Sequence, residues 1–293
     1  IVAVSGLLDD VVVAEIETAI DRSTTNGAQA IVLQVNSRGA VVSRERMAKV
    51  LEKISSATIP VAVWVGPTGA RAYGLSAQIL TVADVTAMAP GARIGYSGEL
   101  LSVDGAPVSF GSADSTLTNS SVGFSDARKL GVLKNVGTDE GVPVVRNMLY
   151  ALDGLTIDGQ ILDTVVESLD STGLVVRDAT TARFFKLGLM GQLMHTVASP
   201  PVAYLLFAIG LSLLIFEFFT AGIGIAGFVG AVCLVLGVYG LAALPVNLWA
   251  VALIVLSVLA FAIDVQVGVP RLWTGIGLGL FTIASLTLYQ PID

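Results

Sequence analysis

From Val197 to Asp293 the chain carries four charged residues, Glu217, Asp264, Arg271 and Asp293. A stretch so poor in charge cannot present the polar surface that a soluble domain needs, so it must face lipid. A helix crossing a bilayer takes about 20 mainly apolar residues. Residues 202–219, 221–244, 248–263 and 272–289 answer that description, and Pro245-Val246-Asn247 breaks the run between the second and third. Connections this short place consecutive helices antiparallel, as two hairpins. The expected architecture is a soluble α/β domain over 1–179, an amphipathic interfacial linker over 180–198, and an all-α transmembrane bundle of four helices over 199–293.

Within the apolar half, small residues recur at spacings that let helix backbones approach, since lipid supplies no hydrophobic drive for association. Gly222, Ala226 and Gly230 lie four apart in the second span, and Gly275 and Gly279 four apart in the fourth. They are candidate packing positions, although glycine is also simply common in membrane helices. Glu217 and Asp264 fall near the ends of the first and third spans, on one side of the membrane. A carboxylate there either caps the bundle or pairs with Arg271, and two acids at one surface do not make a transmembrane proton relay. Ahead of the first span, Arg183, Phe184, Phe185, Lys186, Leu187, Met190, Leu193 and Met194 read as an amphipathic helix lying among headgroups, or as a linker helix packed on the soluble domain.

The net charge of −7 and the lack of a basic run exclude nucleic acid as a partner. Cys233 is the single cysteine and His195 the single histidine. A disulfide framework, a thiolate cluster and a His-pair zinc site are excluded, so neither metal nor cofactor is expected. The chain opens at Ile1 already reading as a strand, and a signal peptide is expected to have preceded it.

In the first 90 residues, β-branched runs at 1–4, 30–35, 61–65 and 85–88 alternate with amphipathic helical patterns at 10–22 and 43–55. That alternation predicts right-handed crossovers and a parallel sheet. Two glycine-bearing turns stand at strand ends, where an α/β domain places its site. One is Asn36-Ser37-Arg38-Gly39-Ala40; the other runs from Gly66 to Ser76 and leads into an apolar helix over 77–82. Amides at such turns, Gly39 and Gly69 in particular, can hold an oxyanion, or the glycines simply permit tight turns. Residues 99–123 read as a long loop, 126–136 and 143–152 as helices, and 174–176 as a closing strand.

The order of parts then carries a resemblance. Pro67 to Ala72, Met88-Ala89-Pro90-Gly91-Ala92-Arg93-Ile94-Gly95, Leu205 to Glu217, Gly222 to Gly230 and Leu244-Pro245-Val246-Asn247 together resemble the long-form NfeD family, the stomatin-operon partner proteins. The resemblance implies a ClpP/crotonase-like serine-protease domain joined to a membrane bundle. It also implies a serine two residues after Gly69-Ala70-Arg71-Ala72, deprotonated by a lysine on a later helix. A desolvated lysine can be neutral near pH 7 and so can take the serine proton. Here Gly74 holds the nucleophile position and Ser76 lies two residues on. The lysine position, counted back from Glu140-Gly141, falls at Phe124 or Ser125, with Lys129 and Lys134 nearby. The first turn, Pro-Gly-Gly in the family, reads Arg38-Gly39-Ala40.

Three departures at one site predict a protease fold that has lost its chemistry. The function expected from the resemblance is a multi-pass membrane scaffold, homo-oligomeric, partnering a stomatin, prohibitin or flotillin-like (SPFH) protein, with its soluble domain outside the cytoplasm. The alternative is an active serine peptidase pairing Ser76 with Lys129 or Lys134 against hydrophobic peptides. The shared crotonase architecture raises a third reading, turn amides polarising an acyl-CoA carbonyl, for which no paired acids stand in the right segments.

Overall fold

The computed structural model describes residues 1–134, 140–169, 171–220, 224–267 and 272–291. After Gly188 the described chain divides into two compact units, so the segment expected as a separate linker is shared between them.

The first unit alternates strand and helix: β1 (Val2–Ser5), α1 (Asp10–Thr25), β2 (Ile31–Asn36), α2 (Arg44–Ser55) and β3 (Val61–Val65). A short β4 (Arg71–Tyr73), a 3-10 turn (Gly74–Ser76) and α3 (Ile79–Val82) lead to β5 (Val85–Met88). Strands β1, β2, β3 and β5 lie in that order in one parallel sheet. Strand β3 is buried throughout, as a central parallel strand covered on both faces must be. Trp64 on β3 donates its indole N–H to Val142 O at 2.8 Å, which satisfies the polar end of a buried ring. Asp9 and Ser43 accept from the amides of Val12 and Arg46 and so start α1 and α2. Buried residues at helical spacing, Val12, Ile16, Ala19 and Ile20 on α1 and Met47, Val50, Leu51 and Ile54 on α2, place both helices against the core.

After β6 (Arg93–Gly95), the segment read as a long loop is built: a hairpin of β7 (Ser102–Val103) and β8 (Ala106–Pro107), α4 (Asp114–Asn119) and β9 (Ser121–Gly123). Strands β4, β6 and β9 form a second small sheet, tied to the end of β2 by a Ser37–Ala72 bridge. The helix expected over 126–136 is shorter, α5 (Phe124–Lys129), because Gly131 at φ 74° ends it. The chain then turns along β5, where Thr86 N–H donates to Lys134 O at 3.1 Å. After α6 (Val145–Leu152) come small hairpins, β10 (Thr156–Ile157) with β11 (Gln160–Ile161) and β12 (Val165–Leu169) with β13 (Val175–Ala179). The strand expected at 174–176 therefore pairs with β12 and does not close the main sheet. Phe185 sits beside β1, its N–H on Ile1 O at 2.8 Å, so residues 183–187 are not part of an amphipathic helix.

The second unit holds α7 (Leu189–Val197), α8 (Pro200–Thr220), α9 (Ile225–Ala242), α10 (Leu248–Val267) and α11 (Leu272–Thr287). Among the described residues α8, α9 and α10 are long and apolar enough to cross a membrane; α11, at 16 residues, is shorter than the full span expected there. Helix α8 packs on α9 and α10 on α11. Asn247, in the break between hairpins, donates from its backbone to Leu288 O and from its side chain to Thr287 O, at 2.9 and 2.6 Å. Gln290 N–H returns to Pro245 O at 2.9 Å, which fastens the Leu-Pro-Val-Asn break to the end of α11.

Candidate active site

Three turns meet at the C-terminal edge of the parallel sheet. Ser37, at the end of β2, is the hub: its N–H donates to Arg71 O at 2.7 Å and its carbonyl accepts from Tyr73 N at 3.1 Å. Arg71 Nη1 donates to Gly69 O at 2.6 Å, Ala70 O at 3.1 Å and Gly91 O at 3.4 Å, locking the 67–70 turn onto the 89–92 turn. Gly39, Gly69, Gly74 and Ser76 are thereby gathered at one end of the fold.

Gly74 opens the 3-10 turn at φ 61°, in the left-handed region where a side chain is strained, and its N–H is bonded to Tyr96 O at 3.1 Å. Ser76 is fully buried. Its hydroxyl donates to Tyr73 O at 2.7 Å and lies 3.3 Å from Ser37 O. Carbonyl oxygens cannot take a proton as a catalytic base does, so this arrangement holds the hydroxyl without activating it. Gly39 N–H is 3.4 Å from Ser37 Oγ, and Gly39 O accepts from Leu8 N and Ser37 Oγ at 3.0 and 2.8 Å. Gly69 stands exposed at φ 86°.

The candidate lysines are not brought to Ser76. Lys129 is exposed at the end of α5. Lys134 Nζ donates to Thr81 O at 2.8 Å and Ala83 O at 3.2 Å, at the far end of α3. Burial pushes the Lys134 ammonium below its usual range, and Asp84 opposes that shift. Phe124, where a lysine was expected, is packed on the core, and a Cβ at Gly141 would meet its ring at 3.3 Å. Among the described residues no group of three His, Cys, Asp or Glu side chains is placed to hold a metal. A cleft of about 480 Å³, lined by Ser23, Val32, Leu149, Leu152 and Phe185, lies at the opposite, N-terminal end of the strands.

Five residues around the site escaped sequence reasoning. Ser37 has only its place in the first turn to mark it. Gln78 was visible as the one amide in an apolar helix: it donates to Ser97 O and Glu99 O at 2.9 and 3.0 Å and accepts from Leu101 N at 2.8 Å, pinning the loop beside the site. Tyr73 and Tyr96 stack edge to face with centroids 5.3 Å apart over the Gly74 turn. Ser97, 2% exposed, keeps a buried hydroxyl with no hydrogen-bond partner among the described residues.

In the membrane half, Gly230 lies in the α8–α9 seam, where an added Cβ would meet Leu213 Cβ at 2.9 Å and Gly210 O at 3.0 Å. Gly222 lies outside the described residues, as does Arg271. The seam runs through Gly227, Gly230, Gly237 and Gly240 rather than on a four-residue repeat. An added Cβ at Gly275 or Gly279 meets nothing within 4 Å; the α11 glycine against α10 is Gly277, 2.8 Å from the Phe261 ring by the same measure. The expected pairing of Gly275 and Gly279 inside the bundle is therefore corrected by half a turn. Glu217 Oε1 accepts from Gly224 N at 2.7 Å, and the buried Asp264 accepts at Oδ2 from Thr274 N at 2.5 Å. Each acid thus caps the N-terminus of the next helix, and the alternative pairing with Arg271 falls outside the described residues.

An α/β unit with its turns gathered at one sheet edge, continued by apolar helices of spanning length, defines a membrane protein that carries an α/β domain. Residues 201–292 match the family model of the NfeD integral membrane domain, so the helical half is an NfeD membrane domain, as the resemblance implied. Over 90% of its length the chain is 24% identical to the membrane-bound protease PH1510 of Pyrococcus horikoshii, and it spans 63% of that protein. Among solved structures it is similar to 1510-N, a membrane protease specific for a stomatin homologue from Pyrococcus horikoshii, at TM-score 0.46 and 18% identity, over 68% of this chain and 98% of that one. A mutant of the 1510-N stomatin-specific protease in complex with a substrate peptide gives TM-score 0.49 at 18% identity, covering 67% and 95%.

Proposed function

We propose that the chain is a catalytically inactive, protease-like membrane scaffold that partners a stomatin, prohibitin or flotillin-like protein through its helical half. One observation carries the loss of chemistry: Gly74 leaves the nucleophile position without a side chain, while the nearby Ser76 hydroxyl is spent on Tyr73 O at 2.7 Å. The partner class is supported by similarity to the membrane-bound protease PH1510 and to 1510-N, a membrane protease specific for a stomatin homologue. The soluble half lies outside the cytoplasm in this reading. Self-association belongs to it as well, since the β12–β13 hairpin exposes Leu169, Leu174 and Val175 together, an apolar patch that a second copy can cover.

The second reading, an active peptidase, is favoured by one feature, the lowered pKa of Lys134, which a general base needs. Its ammonium is held by two carbonyls of the α3 end, and Ser76 is bonded elsewhere. Labelling of the full-length protein with a fluorophosphonate probe separates the two. The scaffold reading expects no labelling of wild type or Ser76→Ala, from protein shown to be folded. Labelling lost in Ser76→Ala would establish the peptidase instead. Co-purification of a stomatin-family protein with the wild-type chain, and its loss on disruption of the helical half, tests the partnership.

A further inference from the structure

We propose that α7 lies in the membrane surface with Leu189, Met190 and Leu193 sunk into the boundary between headgroups and acyl chains. At about 100° per residue, Leu189, Leu193, Val197, Met190 and Met194 fall in one continuous stripe of the helix, while Gly191, His195, Gln192 and Thr196 fill the opposite side. The two ends of that stripe have different surroundings. At the C-terminal end Val197 is buried, and Gly240 near the end of α9 approaches so closely that an added Cβ would meet Val197 O at 2.4 Å. At the N-terminal end the same stripe emerges from protein: Leu189 is 86% exposed, Met190 68% and Leu193 43%.

The surroundings of the emerging end follow from where the stripe begins. Val197 rests on the last turns of α9, and α8 starts at Pro200, so α7 leaves the helical unit at the end of two membrane-spanning helices. The stripe that packs on α9 therefore continues onto the lipid that surrounds α9 at that depth. The opposite side is polar, and Thr196 satisfies its hydroxyl on Gln192 O at 2.7 Å, as a water-facing helix surface does. A nine-residue helix is too short to span and has the segregated faces of a helix lying in the interface plane. The occupant is thus the bilayer surface, with the apolar side chains filling the acyl boundary and the amide and hydroxyl side chains among headgroups. The consequence is mechanical, because α7 fixes the point at which the chain enters the membrane.

The test uses the full chain reconstituted in phosphatidylcholine vesicles, with Cys233 replaced by alanine and an NBD fluorophore on single cysteines at Met190→Cys, Leu193→Cys, Gln192→Cys and Thr196→Cys. Lipids carrying a spin label at acyl carbon 5 or 12 report depth, and aqueous iodide reports water. The expected result is severalfold stronger quenching of positions 190 and 193 by the shallow lipid label than by the deep one. Positions 192 and 196 should be quenched by iodide. Iodide quenching of all four would place α7 in water and overturn the proposal. Protection of 190 and 193 from both quenchers would do the same, by placing the stripe against protein. Oxygen-accessibility measurements on nitroxide-labelled forms of the same cysteines provide an independent readout should the fluorophore disturb the helix.

Discussion

The carboxylate of Glu217 accepts a 2.7 Å hydrogen bond from the backbone N–H of Gly224, which precedes the first turn of α9. Gly227 faces the same side chain, since an added Cβ there would meet Glu217 Cγ at 3.0 Å. The acid satisfies one of the amides that the start of a helix leaves unpaired, and its charge lies at the positive end of the helix dipole. Asp264 repeats the device on Thr274 in the second hairpin. An acid in an apolar half is thus accounted for by capping.

Glu217→Gln keeps an acceptor on Gly224 and should cost less than about 0.5 kcal/mol, whereas Glu217→Ala leaves the amide unmet in a poorly hydrated setting and should cost about 1–2 kcal/mol. Asp264→Ala, at a buried position, should cost at least as much. Denaturation of the three variants in mixed micelles checks the ordering. Equal loss for Gln and Ala at 217 would contradict the capping account.

The α8–α9 seam gives a second contrast. An added Cβ at Gly237 would lie 2.5 Å from Phe207 N, while one at Gly279 meets nothing within 4 Å. Gly237→Val should therefore force the helices apart and cost about 1–3 kcal/mol, and Gly279→Val should change stability by less than about 0.5 kcal/mol. The same micelle denaturation distinguishes them, and equal effects would sink the assignment of the seam.

Much of the fold was legible because its signals are local. Strands at 61–65 and 85–88 follow from short β-branched runs, and α1 and α2 from the amphipathic patterns at 10–22 and 43–55. Gly131, at φ 74°, ends α5 well short of the helical pattern that reads on to 136. What could not be read depends on partners distant in the chain. Four-residue spacing names the Gly275–Gly279 face and leaves open which face meets α10; Phe261 decides for Gly277. Lys134 is close in sequence to the expected catalytic lysine, yet it is drawn to Thr81 O and Ala83 O, 53 and 51 residues away. The glycine at 74 was readable from the sequence, but the capture of the Ser76 hydroxyl by Tyr73 O was not.

Glu17 on α1 and Arg46 on α2 make a two-pronged ion pair, with both bonds at 2.6 Å. The hydrogen bond from Arg46 holds the Glu17 carboxyl below its ordinary value of 4.5. A carboxyl depressed on folding contributes stability that is present above that value and lost as pH falls through the folded pKa. For a partly exposed pair the contribution is about 0.5–1 kcal/mol. Glu17→Gln should flatten the stability profile below pH 4.5, measured by denaturant titration. An unchanged acid limb would count against the pair.

Lys134 works at the other end of the scale. Its burial lowers its pKa from 10.5, so the unfolded chain binds the proton more tightly than the folded one. The stability linked to the neutral form is full above 10.5 and is lost as pH falls through the folded pKa. Stability should therefore rise with pH across the window between the folded pKa and 10.5, and Lys134→Met should remove that rise. Titrating thermal stability of both proteins through alkaline pH checks this.

The hydroxyl of Ser76 offers the sharpest test of whether the site is built for chemistry or for structure. A nucleophile held ready for reaction carries strain or unmet bonds, so its removal is neutral or stabilising. Ser76 instead has a 2.7 Å bond to Tyr73 O in a fully buried setting and a second carbonyl, Ser37 O, at 3.3 Å. Ser76→Ala deletes that donor and leaves buried carbonyl oxygen poorly satisfied, so it should destabilise the α/β half by about 1–2 kcal/mol. Ser76→Cys, with a weaker donor, should fall between the two. Denaturant unfolding of the full chain, followed through Trp64 at the centre of the sheet, measures the difference. A stabilised Ser76→Ala would mean that this hydroxyl is kept against the interests of the fold, and the scaffold reading would fail with it.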